Sequence, residues 1–151
     1  MATKKPYTPG KVPAKAKRSG VETFLRLSMR RWGFTSLGTW VVRDIRNQPG
    51  VLSQHACALA LDLQYTSRRE ALEACNWFVK YADELGVALI NDYMGGGDYG
   101  RTWLCSRAAW RTHTSDTIGI RGSWLHIEMH KPYADMPADK YEALWRSLPR
   151  P

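Results

Sequence analysis

The chain has 151 residues, 44% of them hydrophobic and seven of them tryptophan, which suits one domain with a full core rather than several domains. Its formal charge of +8 sits at one end: from Met1 to Arg31 nine basic residues face one acid, Glu22, and the rest balances at 13 against 13. No apolar run approaches the roughly 18 residues of a membrane span, and the basic N-terminus lacks the apolar stretch of a signal peptide, so neither is expected.

Met1 to Gly20 is rich in lysine, alanine and proline, with Pro6, Pro9 and Pro13. It holds few large apolar residues and is expected to be an extended, flexible arm, residues 1–20, preceding a folded domain at 21–151. The arm is either a solvated tail or a tether for an acidic partner surface. A sequence-specific DNA contact is not expected, because no recognition helix or zinc finger follows. Val21 to Arg31 reads as a short helix closed by Gly33, and Thr39 to Arg43 as a first strand. Asn47-Gln48-Pro49-Gly50 carries a turn signal, and Ala58 to Gln64 is apolar enough for a central strand.

Ser67 with Glu70 three residues later is a capping box, and Ala71, Leu72, Cys75, Phe78, Val79, Ala82 and Leu85 recur at helical spacing up to Gly86. Val87 to Asn91 reads as a strand. The Gly95–Gly100 loop lacks the Lys-Ser/Thr of a phosphate loop, so nucleotide binding is not expected. Arg101 to Trp110 reads as strand, Thr112 to Gly122 as a polar loop, and Ala138 to Leu148 as a terminal helix after Pro132 and a cap at Asp135. Trp103, Trp110 and Trp124 fit either core positions or sugar-stacking platforms. Cys57, Cys75 and Cys105 form no CxxC pair, and their odd number suits buried thiols in a reducing cytoplasm. The fold class is therefore α+β: a small single domain with an antiparallel sheet flanked by helices.

Two segments carry the chemistry. His55 and Asp62 lie seven apart in Ser53-Gln54-His55-Ala56-Cys57-Ala58-Leu59-Ala60-Leu61-Asp62, and both residue types ligate zinc. Downstream, Trp124 to His130 alternates apolar and polar, placing His126, Glu128 and His130 on one face of a strand. On spacing alone the pair fits a metal site or a structural hydrogen bond equally well.

Ser53-x-His55-x-x-Ala58-x-Ala60-x-Asp62 resembles the SxHxxGxAxD signature of the zinc D-Ala-D-Ala carboxypeptidase and L,D-endopeptidase superfamily, which cuts peptidoglycan stem peptides. His126-Ile127-Glu128 is similar to the late segment that supplies the third ligand, and the likeness runs from about Trp40 to His130. It implies Zn²⁺ on His55, Asp62 and His126. It also implies a substrate carboxylate held by Arg43 or Arg46 together with Ser53. The nearest likeness is to minor tail proteins of actinobacterial phages, which implies a virion setting and other tail proteins as partners, with a homo-oligomer left open. Two positions depart from the pattern. Ala58 replaces a glycine, a mild change if φ there is negative. Ser123 stands where the family has its acidic general base, leaving Glu128 and His130, then Asp116 and His113, as candidates for that role. The rival expectation is a structural tail protein that keeps the peptidase fold without hydrolysis.

Overall fold

Leu61, Leu63, Leu125 and Ile127 alternate with Asp62, Trp124, His126 and Glu128, so one side of the sheet is apolar and the other carries polar groups. The computed structural model describes residues 1–45 and 48–151. Helix α1 (Ser19–Trp32) leads into strand β1 (Thr35–Gly38), a small outlying hairpin β2 (Asp44–Ile45) and β3 (Gln48–Leu52), then β4 (Ala60–Gln64). Helices α2 (Arg68–Lys80) and α3 (Ala82–Leu85) follow, and then strands β5 (Val87–Asp92), β6 (Arg101–Leu104), β7 (Ala109–Thr112) and β8 (Trp124–Met129). Helices α4 (Lys131–Ala134) and α5 (Ala138–Ser147) close the chain. The main sheet has six strands in the order β1-β4-β8-β5-β6-β7, every pair antiparallel, which is the expected α+β class. No helix of the described residues is long and apolar enough to cross a membrane.

The apolar side of the sheet is covered by an aromatic cluster on α1, α2 and α5. Phe24 meets Phe78 at 4.9 Å between ring centroids and Trp77 meets Trp145 at 4.7 Å, with the Arg31 guanidinium 4.6 Å from the Trp77 ring centroid. Trp103 joins this core. Trp110 lies half-buried beneath the Arg101 guanidinium at 3.9 Å, and Trp124 packs edge-on to Tyr93 at 5.5 Å. Ser67 caps α2 by accepting the Glu70 N–H, as its sequence predicts. The long stripe does not make one helix, however. It breaks at Tyr81 before α3, and Gly86 ends it with left-handed φ 74°.

The edge region departs from expectation. The first strand is Thr35–Gly38 rather than Thr39–Arg43, because the backbone around Thr39 is drawn off to serve His55. Pro49 and Gly50 lie within β3 rather than at the hairpin's turn. Arg46 and Asn47 lie outside the described residues, so the expectation for Arg46 falls there too. Asp135 ends α4 rather than opening α5.

The basic segment is extended, as its prolines require, but it is tied to the body rather than hanging free. Lys5 N–H donates to the Cys105 carbonyl, Ala14 N–H to that of Ala56, and Arg18 Nε to that of Cys57. Gly10 and Gln54 exchange two hydrogen bonds, at 2.8 and 3.2 Å. These anchors are mainly backbone groups, which composition does not reveal.

Where the segment turns into α1, Gly20 lies against the backbone of α4. A Cβ there would stand 2.0 Å from the Tyr133 carbonyl oxygen and 2.8 Å from that of Ala134. Gly20→Ala must therefore push α1 off α4. The expected result is a loss of about 2–3 kcal/mol, read as a lower urea midpoint with an unchanged slope.

Candidate metal centre

His55 is placed by a tight turn that follows the outlying hairpin. Ser53 Oγ accepts the Ala56 N–H at 3.2 Å, the His55 carbonyl accepts the Ala58 N–H, and Ala58 itself has φ 56°. Alanine thus holds a left-handed conformation that favours glycine, at a cost of roughly 1–2 kcal/mol. The condition under which the change would be mild, a negative φ, is therefore not met. The substitution is a strained one that keeps the glycine-type geometry.

Asp62 and His126 are brought together by register, as direct partners on adjacent antiparallel strands β4 and β8. Asp62 stands between the two imidazoles. Its Oδ2 is 3.1 Å from His55 Nε2 and its Oδ1 is 2.9 Å from His126 Nδ1. One ligand atom from each of His55, Asp62 and His126 lies within 4.8 Å of the other two, so the trio could hold a metal ion. The histidines are nearly enclosed, while the Asp62 side chain keeps 29% of its exposure and leaves a path for solvent.

The remaining ring nitrogens are already committed. His55 Nδ1 lies 2.7 Å from the Thr39 carbonyl oxygen, which can only accept, so that nitrogen carries the proton. His126 Nε2 lies 3.0 Å from Glu128 Oε1, an acceptor of the same kind. In the neutral tautomers, His55 Nε2 and His126 Nδ1 therefore aim lone pairs at a carboxylate. Lone pairs facing lone pairs need a cation between them, either a metal ion or added protons. Without the metal, a proton on His126 serves that role on its side. Burial opposes charge on His126, but its hydrogen bonds to Asp62 and Glu128 and their negative charges prevail and push its pKa up to about 10. Burial likewise opposes charge on Asp62, yet the two histidines hold its carboxyl well below the usual carboxylate range.

Glu128 does not stand free to act as a base. One oxygen accepts from His126 and the other accepts the Tyr7 hydroxyl, delivered by the N-terminal segment. Burial first, then the charge of Glu128, raises the Tyr7 pKa and keeps that hydroxyl a donor. A carboxylate on the far nitrogen of a ligating histidine fixes ring orientation and tautomer.

The other expected residues are dispersed. His130 starts α4 beside Lys5 and Asp83 and is outside the trio, because the strand ends at Met129 and its alternation stops there. Arg43 is exposed, its guanidinium reaching no further than the Asp44 carbonyl. Ser53 is buried and braces the turn. Ser123 and Asp116 are exposed, and His113 bonds Thr102 two strands away from β8.

Tyr7, Thr39 and Tyr93 belong to the centre without having been expected there. Burial and then the charge of Asp62 raise the Tyr93 pKa to about 12, which places this ring beside the cluster. None of the three carries a motif.

A scan against protein-family models finds none that matches, and no curated protein or solved structure matches significantly.

Proposed function

We propose that the chain is a zinc-dependent peptidase of the D-Ala-D-Ala carboxypeptidase type, acting on peptidoglycan stem peptides. In this reading it is carried on a phage tail, where it opens a path through the cell wall. The observation that carries the proposal is the convergence of two imidazole lone pairs on Asp62, each fixed by a hydrogen bond at its other nitrogen. Two histidines and one carboxylate with a solvent path make a donor set that zinc accepts with a position left open. When bound, zinc would polarise the scissile carbonyl and make water a nucleophile near neutral pH.

The chain's own residues orient and enclose. Thr39 and Glu128 hold the two rings, and Tyr7 holds Glu128. Trp124 and Tyr93 wall one side, and solvent enters past Asp62.

A second reading is supported by the base position. Ser123 cannot take a proton near pH 7, and both oxygens of Glu128 are engaged. A minor tail protein that binds zinc and hydrolyses little fits those two facts. Metal analysis of purified protein, paired with digestion of purified peptidoglycan, separates the readings. The peptidase reading expects one zinc per chain and release of cleaved stem peptide. Zinc without release leaves the structural reading, and no zinc removes the peptidase one.

A further inference from the structure

Antiparallel register lines up more than the metal trio. Asp62 on β4 faces His126 on β8, His126 faces Asn91 on β5, Asn91 faces Thr102 on β6, and Thr102 faces Arg111 on β7. Direct partners share a face, so these five polar residues form one row across five strands on the side away from the helices. Their coupling is explicit at one joint: Thr102 Oγ1 donates to Asn91 Oδ1 at 2.7 Å, and His113 Nε2 lies 2.7 Å from that same hydroxyl.

The row has walls. On one flank Tyr7 of the N-terminal segment is bonded to Glu128, which lies one pleat along β8, and the same segment is tied to Cys105 beyond β6. On the other flank stand Trp124 and Tyr93. The far end is cationic. Arg111 is exposed, and Arg107 spends one nitrogen on the Thr102 carbonyl at 3.3 Å while its Nε is buried without a partner. Burial, then Arg111 and Arg107, disfavours charge on His113, which puts both guanidiniums near that ring. Among the described residues no carboxylate pairs with either arginine.

We propose that this row is a peptide-binding groove running from the metal trio to Arg111, and that Arg111 and Arg107 receive a carboxylate of the bound peptide. The assignment rests on the peptidase reading for its substrate class, and it places the carboxylate recognition on β7 and its turn rather than at Arg43. Three strand spacings separate His126 from Arg111, roughly 14 Å, about the length of four extended residues. Allowing for the reach of an arginine, the recognised carboxylate lies some two to four residues from the bond at the metal, so within the peptidase reading this groove suits cleavage inside a stem peptide rather than removal of its last residue. An unpaired guanidinium fork is well suited to it.

The probe is an N-acetylated tetrapeptide ending in D-alanine, as the free acid and as the C-terminal amide, titrated calorimetrically into zinc-loaded and zinc-free protein. The acid is expected to bind about tenfold or more tighter than the amide, as a charge-assisted contact predicts. Arg111 is exposed, so its substitution leaves the fold intact. Arg111→Ala should remove most of the discrimination, Arg111→Glu should reverse it, and Arg111→Lys should keep part. All three should retain the wild-type zinc content. Equal binding of acid and amide by the wild type overturns the groove assignment, as does discrimination unaltered by Arg111→Glu. A preference for the acid in protein that takes up no zinc and cleaves nothing supports the groove and overturns the peptidase reading instead.

Discussion

If the proposed zinc peptidase reading holds, Asp62→Ala should abolish a zinc-dependent rise in melting temperature and reduce peptidoglycan hydrolysis to background. A ligand held at about a thousand times its Kd stabilises the folded state by roughly 4 kcal/mol, or some 8–16 °C for a chain of this size. Asp62 lies within 3.1 Å of both histidine nitrogens. Its loss removes one of the three residues that would hold the metal and, among the described residues, the only group bonded to both rings, so the penalty should exceed the roughly 10–100-fold typical of an outer-shell partner. Calorimetric melting with and without zinc reads the effect directly. A variant that keeps the wild-type zinc shift sinks the metal assignment.

The same cluster sets a pH signature for the metal-free protein. His126 is raised in the fold, so its contribution is complete below its unfolded pKa of about 6.5. It is lost as the pH climbs through the folded value of about 10. Asp62 is depressed, so its contribution is present above about 3.9 and lost as the pH falls through its lowered value. Zinc needs His126 Nδ1 without its proton, so its affinity should rise over the same range in which metal-free stability declines.

The trio itself was legible because its two halves sit in short segments with strong local pattern. A histidine and an aspartate straddle small residues in one, and strict alternation exposes His126 and Glu128 in the other. Alternation fixes only which side of a strand a residue takes. It cannot give the strand order, so the row through Asn91, Thr102 and Arg111 was invisible until β8 was found between β4 and β5. Alternation also misled at His130, where the strand simply stops.

Tyr7 illustrates a different limit. Its segment reads as a flexible arm by composition, and it is held by backbone carbonyls, the Gln54 amide and the hydrogen bond that the Tyr7 hydroxyl donates to the Glu128 carboxylate. Ala58 shows the converse limit, because its residue type does not reveal its backbone conformation. The sequence shows that glycine is absent, whereas the turn shows that the glycine-type backbone has been kept.

Asp92→Ala should be the most damaging single change away from the metal trio. Asp92 is fully buried at the end of β5. It accepts from Arg68 at 2.7 and 2.8 Å in a two-pronged grip, and from Arg101 Nε at 2.9 Å. Arg68 is the first residue of α2, and Arg101 opens β6 and covers Trp110. One carboxylate therefore ties the helix layer to the sheet and fixes the entry to the glycine loop. Gly95 packs so tightly on it that a Cβ there would lie 2.3 Å from Asp92 Oδ2.

Removing the aspartate leaves two guanidiniums without their counter-ion, a loss of about 3–5 kcal/mol for a buried pair. Arg68 keeps a third of its side-chain exposure, so solvent recovers part of that and the lower end applies. At 2–4 °C per kcal/mol, the melting temperature should drop by roughly 6–12 °C. Burial opposes charge on Asp92, but the two arginines hold its pKa below the usual range. Wild-type stability from this group is thus complete above about 3.9 and fades only as the pH falls through the depressed value. The Asp92→Ala variant should lack that acid-sensitive component while still taking up zinc, because His55, Asp62 and His126 make no hydrogen bond to Asp92, Arg68 or Arg101. A loss of zinc parallel to the loss of stability would mean that the sheet's two ends are coupled and that the centre depends on the whole fold rather than on β4, β8 and the turn that carries His55.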